Sequence, residues 1–150
     1  MEIREQADTL LSRLGDTLGL ALALDADGAC GLRLDDRLDL TLRLEPEQAA
    51  LLVYSQVGAL PAIQAEAVLR RLLSANHVWE GSGGATWSLL DGELVLARLL
   101  PLSLDSAQLE QALLRFVETA CDEQDRLNSG NNGARPDRVG GLPPAGMLAV

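Results

Sequence analysis

Lysine is absent from this chain. All 12 basic residues are arginine, against 22 acidic ones, so the formal charge is −10 at pH 7. A surface this acidic repels nucleic-acid phosphates and anionic lipid, which argues against both as partners and favours a basic or apolar one. Without lysine there is also no Walker-type phosphate loop, so "GSGG" at 81–84 reads as a flexible connection and not a phosphate cradle. Aromatic residues make up 3% of the chain, which leaves the core to aliphatic side chains and removes the usual platform for stacking sugars. Histidine occurs once, at His77, with no G-x-S-x-G elbow near it, so it reads as a packing or capping residue. The two cysteines, Cys30 and Cys121, share no C-x-x-C spacing, and with a single histidine they cannot supply a usual zinc site. They read as two free, buried thiols. No uncharged apolar run approaches the roughly 20 residues that span a bilayer. The start, "MEIREQADTL", carries acid where a signal peptide needs positive charge, so the expected location is cytoplasmic.

Leucine is what the chain has instead. Residues 19–44 read "GLALALDADGACGLRLDDRLDLTLRL", with leucine at 20, 22, 24, 32, 34, 38, 40, 42 and 44 and Cys30 in the same parity. Alternation of this kind predicts strands with one apolar face. Shared parity across both turns requires loops with an odd number of residues. Ala26-Asp27-Gly28 fits a three-residue turn with Gly28 left-handed, and Asp35-Asp36-Arg37 repeats it, pairing Leu34 with Leu38 and Leu32 with Leu40. The spacing thus predicts a meander over 20–24, 29–34 and 38–44. Asp25 and Asp27 do not match a calcium loop, since Gly28 comes fourth and not sixth, and the aspartates read as turn formers.

Around the meander the pattern changes to helical period. Ile3, Ala7, Leu10, Leu11, Leu14 and Leu18 share one helix face over 2–18, closed by Gly19. Residues 49–56 read as a strand that is apolar on both faces. Pro61 suits the first turn of a second helix over 62–76, whose apolar face is Ala65, Val68, Leu69, Leu72 and Leu73. Asp91-Gly92 centres a hairpin over 85–90 and 93–100, placing Trp87 and Leu89 on one face with Leu94 and Leu96. Trp79 and Trp87 flank the glycine-rich loop, and both core and interface roles stay open for them. Asp105 and Gln108 form a capping box, and Leu104 and Leu109 a hydrophobic staple, for a third helix reaching about residue 126. Its stripe is Leu109, Leu113, Phe116, Val117 and Ala120. The expected fold is therefore α+β: one domain over 1–127, in the order α-β-β-β-β-α-β-β-α, with helices packed on a twisted antiparallel sheet. A Gly-, Asn- and Pro-rich tail over 128–150 is expected to lack regular structure.

Five stretches carry a resemblance: "LLSRLGDTLGL", "ACGLRLDD", "VYSQVGALP", "LLSANHVWEGSGGATWSL" and "LARLLPLSLDSAQLEQAL". In order and spacing they resemble the type III secretion chaperones of the Tir-chaperone (CesT-like) class over about residues 5–125. The resemblance implies a homodimer without catalytic activity or cofactor. It implies binding of the N-terminal segment of a secreted effector in extended form, and its release to the secretion ATPase and export apparatus. Leucines at the margins of the stripe and on the first helix are then the expected effector surface: Leu10, Leu14, Leu22, Leu32, Leu40 and Leu42. Val68, Leu69, Leu72, Leu73, Trp87 and Leu89 are the expected dimer contact. Two other readings compete. One is a chaperone-like protein that binds a transcriptional or secretion regulator. The other is a small enzyme using Asp25, Asp35 or His77.

Overall fold

The structure, a computed structural model, describes residues 2–131. Its elements are α1 (Ile3–Leu18), β1 (Ala29–Leu34), β2 (Leu38–Glu45), β3 (Ala50–Ala59), α2 (Ala65–Asn76), β4 (Thr86–Leu90), β5 (Glu93–Pro101) and α3 (Ser106–Asn131). The five strands form one antiparallel sheet in the order β1-β2-β3-β5-β4.

The two tight turns follow the chemistry of their residues. Leu34 pairs with Leu38 and Leu32 with Leu40 across Asp35-Asp36-Arg37. Gly28 takes φ 81° at the end of the preceding turn, where a side chain would be strained. At the other end Asp91 (φ 50°) and Gly92 (φ 81°) form the two-residue hairpin, opposing Trp87 to Leu96 and Leu89 to Leu94. The capping box of α3 closes reciprocally. The Gln108 N–H donates to Asp105 Oδ1 (2.8 Å) and the Asp105 N–H to Gln108 Oε1 (3.0 Å).

Three expected boundaries differ. Residues 20–24 do not join the sheet as a strand. At the end of this stretch the backbone is bonded to α1 instead: the Arg4 guanidinium donates to the carbonyls of Leu24 (3.0 Å) and Asp25 (2.8 Å), and the Leu24 N–H donates to Asp8 Oδ1 (3.4 Å). A backbone satisfied by side chains has no need of a ladder. The second helix begins at Ala65, after Pro61 and not at it, because Gln64 is left-handed (φ 69°) while the Leu60 N–H stays bonded to Gly92 at the sheet (2.9 Å). The third helix runs on to Asn131, because its last turns are held to the sheet. Leu127 is buried beside Gly58, and Gln124 Nε2 donates to the carbonyls of Arg37 and Val57 (both 3.2 Å). Arg37 completes the tie, donating to Gln124 Oε1 (2.9 Å), Asp125 Oδ1 (2.9 Å) and the Cys121 carbonyl (3.2 Å). Beyond Asn131, the expected tail lies outside the described residues.

The core sits between the helices and one face of the sheet. Ala7, Leu11 and Leu14 of α1 and Leu109, Phe116 and Ala120 of α3 meet Leu40, Leu42, Leu51, Val53, Leu94 and Leu96 of the strands, all almost without solvent contact. Close approach also fixes Gly15: a Cβ there would lie 2.3 Å from the Leu20 carbonyl oxygen, where the chain folds back from α1. Arg71 of α2 forks onto Glu123 of α3, a carboxylate with 3% exposure, and pins the second helix to the third.

Candidate protein-interaction surface

All six leucines expected to meet an effector are inside the core. Leu10, Leu14, Leu22, Leu32, Leu40 and Leu42 expose between 0% and 8% of their surface. This corrects the expectation of a partner surface there. Most of the even-numbered stripe is buried in the core with α1 and α3, Leu34 and Leu44 being half-buried and Leu20 exposed, and each fully buried leucine stabilises the fold by about 1.5–3 kcal/mol. The expected dimer contact divides. Val68, Leu72 and Trp87 are buried and Leu69 is half-buried, whereas Leu73 (67%) and Leu89 (46%) lie open.

The opposite face of the sheet is where apolar side chains remain available. Strand parity places Leu52, Tyr54, Val95, Ala97 and Leu99 there, in register as Leu52–Leu99 and Tyr54–Ala97. All are half-buried or exposed, and Thr41, Arg43, Gln56 and Ser88 fill the spaces between them. The Arg43 guanidinium lies 5.5 Å from the centre of the Tyr54 ring. This face was legible in one respect only, the two-sided apolar character of 49–56.

A second exposed apolar group lies at the α2–β4 end of the molecule. Val78 (58%), Trp79 (53%) and Leu90 (58%) are open there, in addition to Leu73 and Leu89. Val78 and Trp79 both take left-handed backbone (φ 47° and 59°), a strained conformation for a β-branched and an aromatic residue. Trp79 Nε1 donates to Thr86 Oγ1 (3.1 Å), which leaves much of the ring in solvent. Trp79 is thus a surface residue, while Trp87 is core.

Among the described residues the titratable groups converge on no reactive centre. Cys30 and Cys121 are buried, and burial pushes both thiols above their ordinary value, so they stay protonated and unreactive. Burial, with Arg115 nearby, lowers the Arg98 guanidinium, which donates to the Gly83 carbonyl (3.0 Å). His77 is exposed at the end of α2. Asp25 Oδ1 accepts from the N–H groups of Asp27 (2.9 Å) and Ala29 (3.0 Å), the work of a turn former. Among the described residues no group of three or more His, Cys, Asp or Glu is placed to hold a metal ion, and no helix is long and apolar enough to cross a membrane.

Solved structures share this architecture. The ExsC–ExsE complex contains a chain 24% identical, with a TM-score of 0.73, covering 83% of this chain and 95% of that one. The HopA1–SchA chaperone–effector complex gives 19% identity and a TM-score of 0.70, over 81% and 95% of the two chains. The Yersinia pestis type III secretion chaperone SycH, solved with a stable fragment of YscM2, gives 22% and 0.64 over 75% and 95%. At these identities the likeness establishes the fold. No curated protein matches the sequence. The model of the Tir chaperone protein (CesT) family, however, matches residues 9–122, well over half the chain, and the protein belongs to that family.

Proposed function

We propose that this protein is a cytoplasmic type III secretion chaperone. As a homodimer, it holds the N-terminal segment of a secreted effector in extended form, passes it to the export apparatus and changes no covalent bond. Membership of the CesT family is the observation that carries the reading. The geometry supports it in two ways. Helices cover one face of the sheet and leave the other with apolar side chains open, as a surface for an unfolded chain requires. Leu73 and Leu89, both exposed at the α2–β4 end, are apolar side chains available to a second copy. Ordering a disordered segment costs free energy, and two copies double the area over which burial can offset it.

Two measurements test this. Purification of the tagged protein from its native cell, with mass spectrometry of what it holds, is expected to return the N-terminal region of a secreted protein. A transcriptional regulator found in its place would support the competing reading, and an empty protein from cells active in secretion would end both. Light scattering is expected to give a dimer at micromolar concentration, and the double variant Leu73→Asp, Leu89→Asp a folded monomer. A monomeric wild type would overturn the dimer.

A further inference from the structure

A polar cleft of about 390 Å³ lies between the glycine-rich loop and α3, lined among others by Glu80 and Gly83 of the loop and Arg115, Glu118 and Asp122 of the helix. The loop beside it is firmly built. The buried Ser82 hydroxyl donates to the Ala85 carbonyl, and the Gly84 N–H donates to the Trp79 carbonyl (3.0 Å). Gly83 (φ 65°) and Gly84 (φ 90°) are both left-handed, and each makes room for a neighbour. A Cβ on Gly84 would lie 2.9 Å from Arg98 Cζ. A Cβ on Gly83 would lie 2.9 Å from Thr119 Oγ1 and 4.0 Å from Arg115 Nε. Two arginines, one from β5 and one from α3, thus stand against a single dipeptide. Arg98 shares the core face of β5 with Leu94, Leu96 and Leu100, and donates to the Gly83 carbonyl (3.0 Å). Most of its N–H groups are left over. Arg4, Arg33, Arg37, Arg43, Arg70 and Arg71 each pair with a carboxylate, but Arg98 and Arg115 form no ion pair among the described residues. Burial and then the charge of Arg115 lower Arg98, so the two are near enough to repel.

We propose that this cleft binds a carboxylate group, held by Arg98 and Arg115 beside Gly83 and Gly84. The proposal goes beyond the chaperone reading and does not depend on it. A carboxylate has two oxygens in one plane, each able to accept from a guanidinium fork, so one group can serve both arginines. Its negative charge offsets the repulsion between them, and the half-buried position of Arg98 strengthens the attraction over what water allows. The acidic residues of the cleft set an upper limit on the charge of the ligand. Glu80, Glu118 and Asp122 are exposed there, on a chain whose formal charge is −10, so a doubly charged oxyanion meets more repulsion than a single carboxylate does. A cation is not favoured either, since no group of three or more ligating side chains forms among the described residues. The glycines matter directly. A side chain on Gly84 would displace the Arg98 guanidinium, and one on Gly83 would press on Thr119 beside Arg115. The carboxylate has two sources of the same chemistry, an aspartate or glutamate side chain of a protein partner and a small free acid. The cleft has room for either.

The test follows the arginine Nε–Hε resonances of the full chain by NMR in mildly acidic buffer, during titration with sodium acetate, sodium sulfate or sodium chloride at constant ionic strength. Acetate is expected to shift the Arg98 and Arg115 resonances to saturation, at a midpoint on the order of tenfold below that of chloride, with sulfate weaker than acetate. Arg115→Gln, at an exposed position, is expected to weaken acetate binding by about tenfold, read at Arg98, while the Gly83 and Gly84 amides keep their positions. Arg13→Gln removes an exposed arginine of α1 and is expected to leave acetate binding at the cleft unchanged. A capped tripeptide with a central glutamate separates the sources. Binding tighter than acetate supports a side chain of a protein partner, and binding no tighter supports a small free acid. The same tripeptide with glutamine is expected to move neither resonance. Equal responses to acetate and chloride would reduce the effect to screening and overturn the site. Tighter binding of sulfate would overturn the choice of a carboxylate, and an undiminished response in Arg115→Gln would overturn the role of the arginine pair. The co-purified partner decides the chaperone reading independently of all these outcomes.

Discussion

The meander end and the α2–β4 end of the sheet expose opposite things. At the meander, Cys30, Leu32, Leu38, Leu40 and Leu42 are all turned inward, and what faces out is polar: Arg33, Asp39, Thr41 and Arg43 on the strands, with Asp35 and Asp36 at the turn. At the α2–β4 end the central backbone groups are closed by Asn76, and what faces out is leucine, valine and tryptophan. Main-chain groups recognise any extended polypeptide, whereas a fixed apolar relief recognises a complementary folded surface. The two ends therefore differ in surface chemistry, one polar and charged, the other apolar.

Substitutions that weaken one end and spare the other test this division. The largest effect is expected in the core beneath the meander. Leu42→Ala is expected to destabilise by about 2–5 kcal/mol in denaturant titration, whereas Leu73→Ala at the far end should stay within about 0.5 kcal/mol. Next comes the pin behind β4. Arg71→Ala leaves the buried Glu123 carboxylate without its partner, and because Arg71 is itself partly exposed the expected loss is about 2–4 kcal/mol. Opening the closed edge should cost less and show itself differently. Asn76→Ala strands both outward groups of Trp87, for about 1–3 kcal/mol, and is expected to add concentration-dependent species above the dimer in light scattering. The smallest effect is kinetic. Both thiols should resist a thiol reagent at pH 8 in the native state, with Cys30, on the edge strand, modified before Cys121 as the edge opens locally. Simultaneous modification would indicate that the meander end is no looser than the rest.

How much of this was legible depended on the distance over which each feature is decided. The register of β1 on β2 could be read because leucines of one parity require an odd-length turn, and Asp35-Asp36-Arg37 supplies one of three residues between Leu34 and Leu38. The α3 cap could be read because its partners are three residues apart. The strand expected at 20–24 had the same alternation as β1, yet Arg4 and Asp8 on α1 captured its backbone, and no local pattern announces that. The choice of surface leucines failed for a related reason. Leu40 and Leu73 are the same residue type on amphipathic elements, and only the helices lying over the sheet make the first inaccessible and leave the second open.

The sequence by itself determined the elements of this protein, its turns, its aliphatic core material and its acidic surface, since period, capping and charge act between near neighbours. The tertiary structure alone decided which apolar residues reach solvent, and which side chain caps the backbone of β4. Both depend on what another part of the chain, far away in sequence, brings alongside: α1 and α3 over the stripe, and one asparagine of α2 against β4.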